Sequence, residues 1–161
     1  MLPELVAENQ TAVMINDQLP EAIVDAVPAA DGPVLVIAPG EILPVCQLLK
    51  QTAGFERLSA ITAVDWWPRD PRFEVVYFLH SLSKNARLRL AVRVGDEAEL
   101  DSLTPLWRGA NWYEREVFDL FGVQFRNHPN LERIMMPADW EGHPLRKDYP
   151  VHGHRYSYQD E

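Results

Sequence analysis

The chain has 161 residues, 47% of them hydrophobic, with 15 lysines and arginines against 24 acids, a formal charge of −9 and a pI near 5.0. That length and apolar content suit one domain with a real core, and the acidic balance argues against nucleic acid or an anionic membrane as the main partner. The lone Cys46 can form neither an internal disulfide nor a cluster-binding thiolate set, which suits a reducing, cytoplasmic setting. The sequence shows no basic-then-apolar leader and no membrane-length apolar run of about 20 residues. Charge is unevenly placed: Lys50 is the first base, so the opening 49 residues carry seven acids unopposed and the remainder is close to neutral.

In chain order, "QLPEAIVDAV" sets Leu19, Ile23, Val24 and Val27 at helical spacing behind Asp17 as an N-cap, which predicts a helix. "GPVLVIAPG" is a short β-branched run between turn residues and predicts a buried strand. In "EILPVCQLLKQTAGF" the stripe Ile42, Val45, Leu48 and Leu49, with Pro44 in the first turn and Gly54 as a stop, predicts a second helix. Three extended segments follow, "RLSAITAVDWW", "RFEVVYFLHSL" and "ARLRLAVRV", joined by "PRDP" and "SKN". The third alternates most clearly, Arg87, Arg89, Ala91 and Arg93 on one side and Leu88, Leu90, Val92 and Val94 on the other, and the short connections imply an antiparallel meander. "GANWYEREVFDLFG" then predicts a helix bounded by Asn111 and Gly122, with Tyr113, Val117, Leu120 and Phe121 inward and Glu114, Arg115, Glu116 and Asp119 on the charged side. The expected fold is an α+β two-layer sandwich, a mostly antiparallel four-stranded sheet with helices on one face, over residues 1–121.

Residues 122–161 form the second expected unit, an extended tail punctuated by Pro129, Pro137, Pro144 and Pro150. Its composition is not that of a disordered tail, since it carries Leu131, Ile134, Met135, Met136, Trp140, Leu145, Tyr149 and Val151. Each such side chain is worth about 1.5–3 kcal/mol when buried, so something must cover them. Residue types alone leave two covers open, the chain's own sheet or another protein. Likewise "PLRKDYP" reads either as a solvated turn or as an interface in which Arg146 pairs with carboxylates.

Four of the five histidines, His128, His143, His152 and His154, sit in this tail and raise a stand-alone metal-dependent enzyme as one reading, but their spacing matches no ligand motif. No serine sits in a nucleophile elbow, no glycine-rich phosphate loop occurs, and Cys46 lies on an aliphatic stripe where a thiol is inert. No catalytic, cofactor-binding or metal-ligating residue is therefore expected in the chain itself.

From Asn111 onward, "NWYEREVFDLFGVQFRNHPNLERIMMPADWEGHPLRKDYP" closely resembles the signature of the NuoC family, the 30-kilodalton-type subunit of respiratory NADH:quinone oxidoreductase (complex I). The upstream strands extend the resemblance to roughly residues 55–150; Asn127 stands where glycine is frequent in the family, and Glu132 where a second base is common. The resemblance implies a non-catalytic assembly subunit of the peripheral arm that supports electron transfer from NADH to quinone. NAD, FMN, iron–sulfur clusters and quinone would then belong to partner subunits. The implied partners are the quinone-site subunit of the 49 kDa type and cluster-bearing subunits of the B and I types. The implied place is the cytoplasmic side of the plasma membrane, reached only through the complex. The family also occurs fused to the quinone-site subunit, and a chain ending at Glu161 corresponds to the separate form. Carried onto this sequence, the motif makes Glu114, Arg115, Asp119, Arg133, Arg146, Lys147 and Asp148 the expected partner-binding residues, with Trp140, Leu145 and Tyr149 as apolar anchors. An equivalent subunit of a membrane-bound hydrogenase or ferredoxin-linked complex is the rival within the same fold.

Overall fold

The computed structural model describes residues 2–151. Asn9 opens the first helix: its side-chain oxygen accepts from the amides of Thr11 and Ala12, both at 3.0 Å, satisfying two donors that a helix start leaves unpaired. Helix α1 runs Gln10–Gln18 and buries Ala12 and Ile15. The helix expected over residues 18–27 is corrected here, because Ile23–Val27 is strand β1 and Asp17 lies inside α1 instead of capping a later helix. Over so short a run the spacing of Leu19, Ile23, Val24 and Val27 fits either period, and β-branched side chains favour the extended one. Ile23 is 6% exposed and Val24 59%, the alternation of a half-buried strand.

Strand β2 (Val34–Ile37) pairs antiparallel with β1, setting Val27 opposite Val34. Helix α2 (Ile42–Gln51) buries Ile42, Val45, Cys46 and Leu49. It unwinds through Gly54, whose φ of +75° is left-handed, and the Phe55 amide returns to Leu49 O at 3.0 Å. Strands β3 (Arg57–Asp65), β4 (Phe73–Ser81) and β5 (Ala86–Val94) form the expected antiparallel meander. The sheet has five strands where four were expected, in the order β1-β2-β5-β4-β3, with β2 and β5 parallel. The additional strand is β1, the segment expected to be helical.

Leu88, Leu90, Val92 and Val94 of β5 point inward beside Phe73, Val75, Tyr77 and Leu79 of β4, in one core with the buried faces of the helices. The α+β sandwich architecture therefore stands. Helix α3 (Ala110–Phe121) lies against β3, where Tyr113 Oη donates to Ser59 O at 2.8 Å and Phe121 meets Phe73 edge-on. Past Gly122, Val123 and Phe125 remain buried, and β7 (Gln124–Arg126) pairs parallel with β6 (Glu99–Asp101).

Candidate partner-binding site

A helix C-terminus leaves carbonyls unpaired and carries partial negative charge. The tail folds around this end of α3 and supplies donors. Asp119 O accepts from Arg133 Nη1 at 3.2 Å and meets His143 Nδ1 at 2.8 Å; Leu120 O accepts from the Leu145 amide at 3.0 Å, and Phe121 O from Arg146 Nε at 2.7 Å. Gly122 makes the wrap possible. Its φ is +82°, and a Cβ there would lie 2.6 Å from Arg146 Nη2 and 2.7 Å from the His143 ring.

The Asp119 carboxylate is the fastener. Its Oδ2 accepts three consecutive amides, Ile134 at 3.0 Å, Met135 at 2.7 Å and Met136 at 2.8 Å, while Oδ1 takes Arg133 Nη1 at 2.6 Å. Burial favours its neutral form, yet the Met136 amide, the Arg133 guanidinium and the other two amides outweigh that and hold the carboxyl below its usual value. One turn earlier, Arg115 donates to Glu132 O at 3.0 Å and Arg133 O at 3.2 Å. Arg133 Nη2 closes the loop on Gly142 O at 2.9 Å.

A second anchor lies at the sheet's edge. Arg72, its side chain only 8% exposed, forks onto Asp65 at 2.8 Å and also reaches Asp96 at 3.2 Å and Asp148 at 3.1 Å. The Lys147 amide donates to Asp65 Oδ2 at 2.8 Å, and Arg146 Nη1 pairs with Asp96 at 2.8 Å. Burial works against the Asp65 charge, but Arg72 and the amides of Lys147 and Trp67 hold its carboxyl far below the ordinary range.

Two of the acids expected at the interface lie inside the chain's own fold. Glu114 is fully buried and faces the core: it accepts from Ser102 Oγ and from the Leu103 amide, both at 2.6 Å, and burial pushes its pKa up to about 7 against those two bonds. Asp119 is likewise fully buried and engaged within the chain. Periodicity put both on the polar side of α3, and that side is covered by the β6 loop and the tail. Arg115, Arg133 and Arg146 also turn inward, onto backbone carbonyls of their own chain.

The outer side of the same strap exposes large apolar side chains among charged ones. Leu145 is 52% exposed, and with it stand Met135 at 58%, noted in sequence only as one of the tail's apolar residues, and Trp112 at 62%, which sequence reasoning missed. Lys147 and Asp148 are also exposed, while Trp140 and Tyr149 are half-buried, Tyr149 Oη donating to Glu141 O at 3.2 Å. Trp112 was detectable as a tryptophan off the apolar stripe of its helix. Arg72 and Asp65 had no local signal, because their tail partners lie 76 and more residues away. The tail thus does two things at once: Leu131 packs on the core while Met135, Leu145 and Val151 look outward.

His128 Nε2 faces Asn111 O at 3.2 Å and its Nδ1 accepts the Asn130 amide at 3.0 Å, so this ring and that of His143 fasten the tail. Among the described residues no three His, Cys, Asp or Glu side chains converge to hold a metal, and His152 and His154 lie outside them. Burial pushes the Cys46 thiol far above its usual value, which closes thiolate chemistry to it.

The family model for the respiratory-chain NADH dehydrogenase 30 Kd subunit matches residues 35–155. The chain belongs to this family. One relative in the 30 Kd family, the C-type subunit of the NADH-quinone oxidoreductase of Geobacter sulfurreducens, is 42% identical over 92% of this chain and 93% of its own length. The solved trypsin-resistant fragment (1-134) of Nqo5 superposes with a TM-score of 0.65 at 31% identity, covering 74% of this chain and 97% of that one. A chain of the membrane-bound sulfane sulfur reductase, an archaeal respiratory membrane complex, gives a TM-score of 0.75 at 25% identity, covering 89% and 86%. Asn127 has a φ of +62°, a conformation that glycine and asparagine tolerate best.

Proposed function

We propose that the chain is a non-catalytic subunit of an NADH-quinone oxidoreductase peripheral arm, in which it positions the subunits that carry NAD, FMN, iron–sulfur clusters and quinone. The observation that carries this reading is the strap: a backbone locked to α3 on its inner side with Trp112, Met135 and Leu145 presented outward. A rigid display of exposed large side chains suits association, since little ordering cost remains at docking. The quinone-site subunit of the 49 kDa type takes this face, cluster-bearing subunits of the B and I types lie beside it, and residues 122–161 act as the partner-binding unit. Of the residues first expected at the interface, Trp140, Leu145, Lys147, Asp148 and Tyr149 remain candidates for contact. Arg115, Asp119, Arg133 and Arg146 act one step back by shaping the strap. No helix among the described residues is long and apolar enough to cross a membrane, and attachment to the cytoplasmic membrane face runs through the partners.

Trp112→Ala with Leu145→Ala in the tagged chain tests this. Both side chains are more than half exposed, so thermal melting of the isolated chain stays within about 2 °C while recovery of companion subunits and NADH-quinone reductase activity fall. A complex that keeps its full subunit content and rate with both changes overturns the strap reading. The similarity to the sulfane sulfur reductase chain favours a second reading, the equivalent subunit of a related membrane-bound complex. Neighbouring genes that lack flavin- and NADH-binding subunits would select it.

A further inference from the structure

The face of the sheet that the helices leave uncovered carries a row of bases in strict cross-strand register. Arg57 of β3 lies opposite His80 of β4, and His80 opposite Arg87 of β5. The next row sets Phe78 opposite Arg89, whose guanidinium stands 5.8 Å over the Phe78 ring. Arg57 and Arg87 carry fixed positive charge on either side of His80, so the row attracts an anion.

The same face shows what a satisfied base looks like. At its far end Arg93 lies opposite Glu74, pairs with it at 3.1 Å and with Asp25 at 3.2 Å, and Arg89 is met by Asp31. Among the described residues no carboxylate comes within ion-pair distance of Arg57 or Arg87. Glu56, next in sequence to Arg57, is drawn away to the Leu82 amide and Ser83 Oγ at 2.9 and 2.8 Å. These bases line an open groove of about 830 Å³, floored by Phe78 and walled by Asn9 and Pro33, in a chain whose net charge is −9.

We propose that this groove docks an acidic segment of a neighbouring protein chain, with carboxylates on Arg57 and Arg87 and an apolar side chain on Phe78. The interface is distinct from the strap, which wraps α3 on the other side of the sheet. Strands are spaced about 4.8 Å, so Arg57 and Arg87 leave backbones about 10 Å apart, within reach of acids two or four residues apart on one face of an extended segment. Arginine's planar fork pairs bidentately with carboxylates, and Phe78 offers a peptide an apolar contact that a bare ion cannot use.

The test uses the tagged chain recovered with its native companions from solubilised membranes, carrying Arg57→Lys and Arg87→Lys, and a zero-length carbodiimide that joins amines to contacting carboxylates. Arg93→Lys is the chemical control, coupling within the chain to Glu74 or Asp25. The expected result is coupling from positions 57 and 87 to Asp or Glu within one short segment of another chain. The charge reversals Arg57→Glu with Arg87→Glu should then weaken retention of that chain about tenfold or more without changing the melting temperature. Companions present without coupling, or coupling only to Asp31, overturn the proposal and leave the reading of the chain as a complex component standing; the chain recovered alone overturns both. Binding of millimolar inorganic phosphate or of phosphatidylglycerol vesicles at these two positions, in the absence of peptide coupling, also refutes it.

Discussion

Asp119→Ala removes the fastener of the strap, and its cost follows from the bonds it makes. The carboxylate takes the Ile134, Met135 and Met136 amides and the Arg133 guanidinium at 2.6–3.0 Å while fully buried. Deleting it leaves three amides and a guanidinium without their acceptor, and each stranded polar group costs about 1–3 kcal/mol where it cannot reach water. Since residues 134–136 can partly swing into solvent, a net loss of about 3–5 kcal/mol is expected, comparable to breaking a buried ion pair. Asp119→Asn keeps one acceptor oxygen but loses the charge facing Arg133, and its stability should fall between that of Asp119→Ala and that of the parent. The depressed pKa fixes the sign with pH: the contribution is present above the usual carboxylate range and lost as pH falls through the lowered value, so the deficit narrows on acidification. Urea unfolding of the full chain at pH 7 measures the loss, and limited proteolysis between residues 130 and 146 reports the released strap. A loss under about 1 kcal/mol with unchanged cleavage would refute the account of how the tail is held.

Gly122→Ala places a methyl group 2.6 Å from Arg146 Nη2 at a φ of +82°, so a loss of about 1–2 kcal/mol and faster cleavage near His143 are expected by the same two assays. Glu114→Gln tests the buried carboxyl by pH. Its pKa is raised from 4.5 to about 7, so its stabilisation is complete below pH 4.5 and is lost as pH rises through 7; the variant should therefore gain about 3 kcal/mol on the parent between pH 4.5 and 8. Urea midpoints of the two proteins that keep a constant separation across that range would instead show that Glu114 stays ionised in the fold.

The meander was legible because strict alternation in "ARLRLAVRV" and the short "SKN" connection leave one arrangement that hides Leu88, Leu90, Val92 and Val94. Helix α3 and its end at Gly122 were legible for the same kind of reason, a local period and a residue that best suits the left-handed cap. The 18–27 segment resisted a local reading because four apolar residues fit both periods, and pairing with β2 decided between them. Glu114 and Asp119 show the limit most sharply. Sequence periodicity places a charged residue on a helix face, but only distant segments decide whether that face meets water. Here the β6 loop covers Glu114 and residues 133–136 cover Asp119.

The sequence alone determined the family, the sandwich and the presence of an apolar tail, because local period and motif spacing depend on neighbours along the chain. Tertiary structure decided which charges serve the chain's own fold and which side chains look outward. Asp65, Arg72 and Asp148 meet only after the sheet has formed, and a carboxylate's role depends on what surrounds it in space.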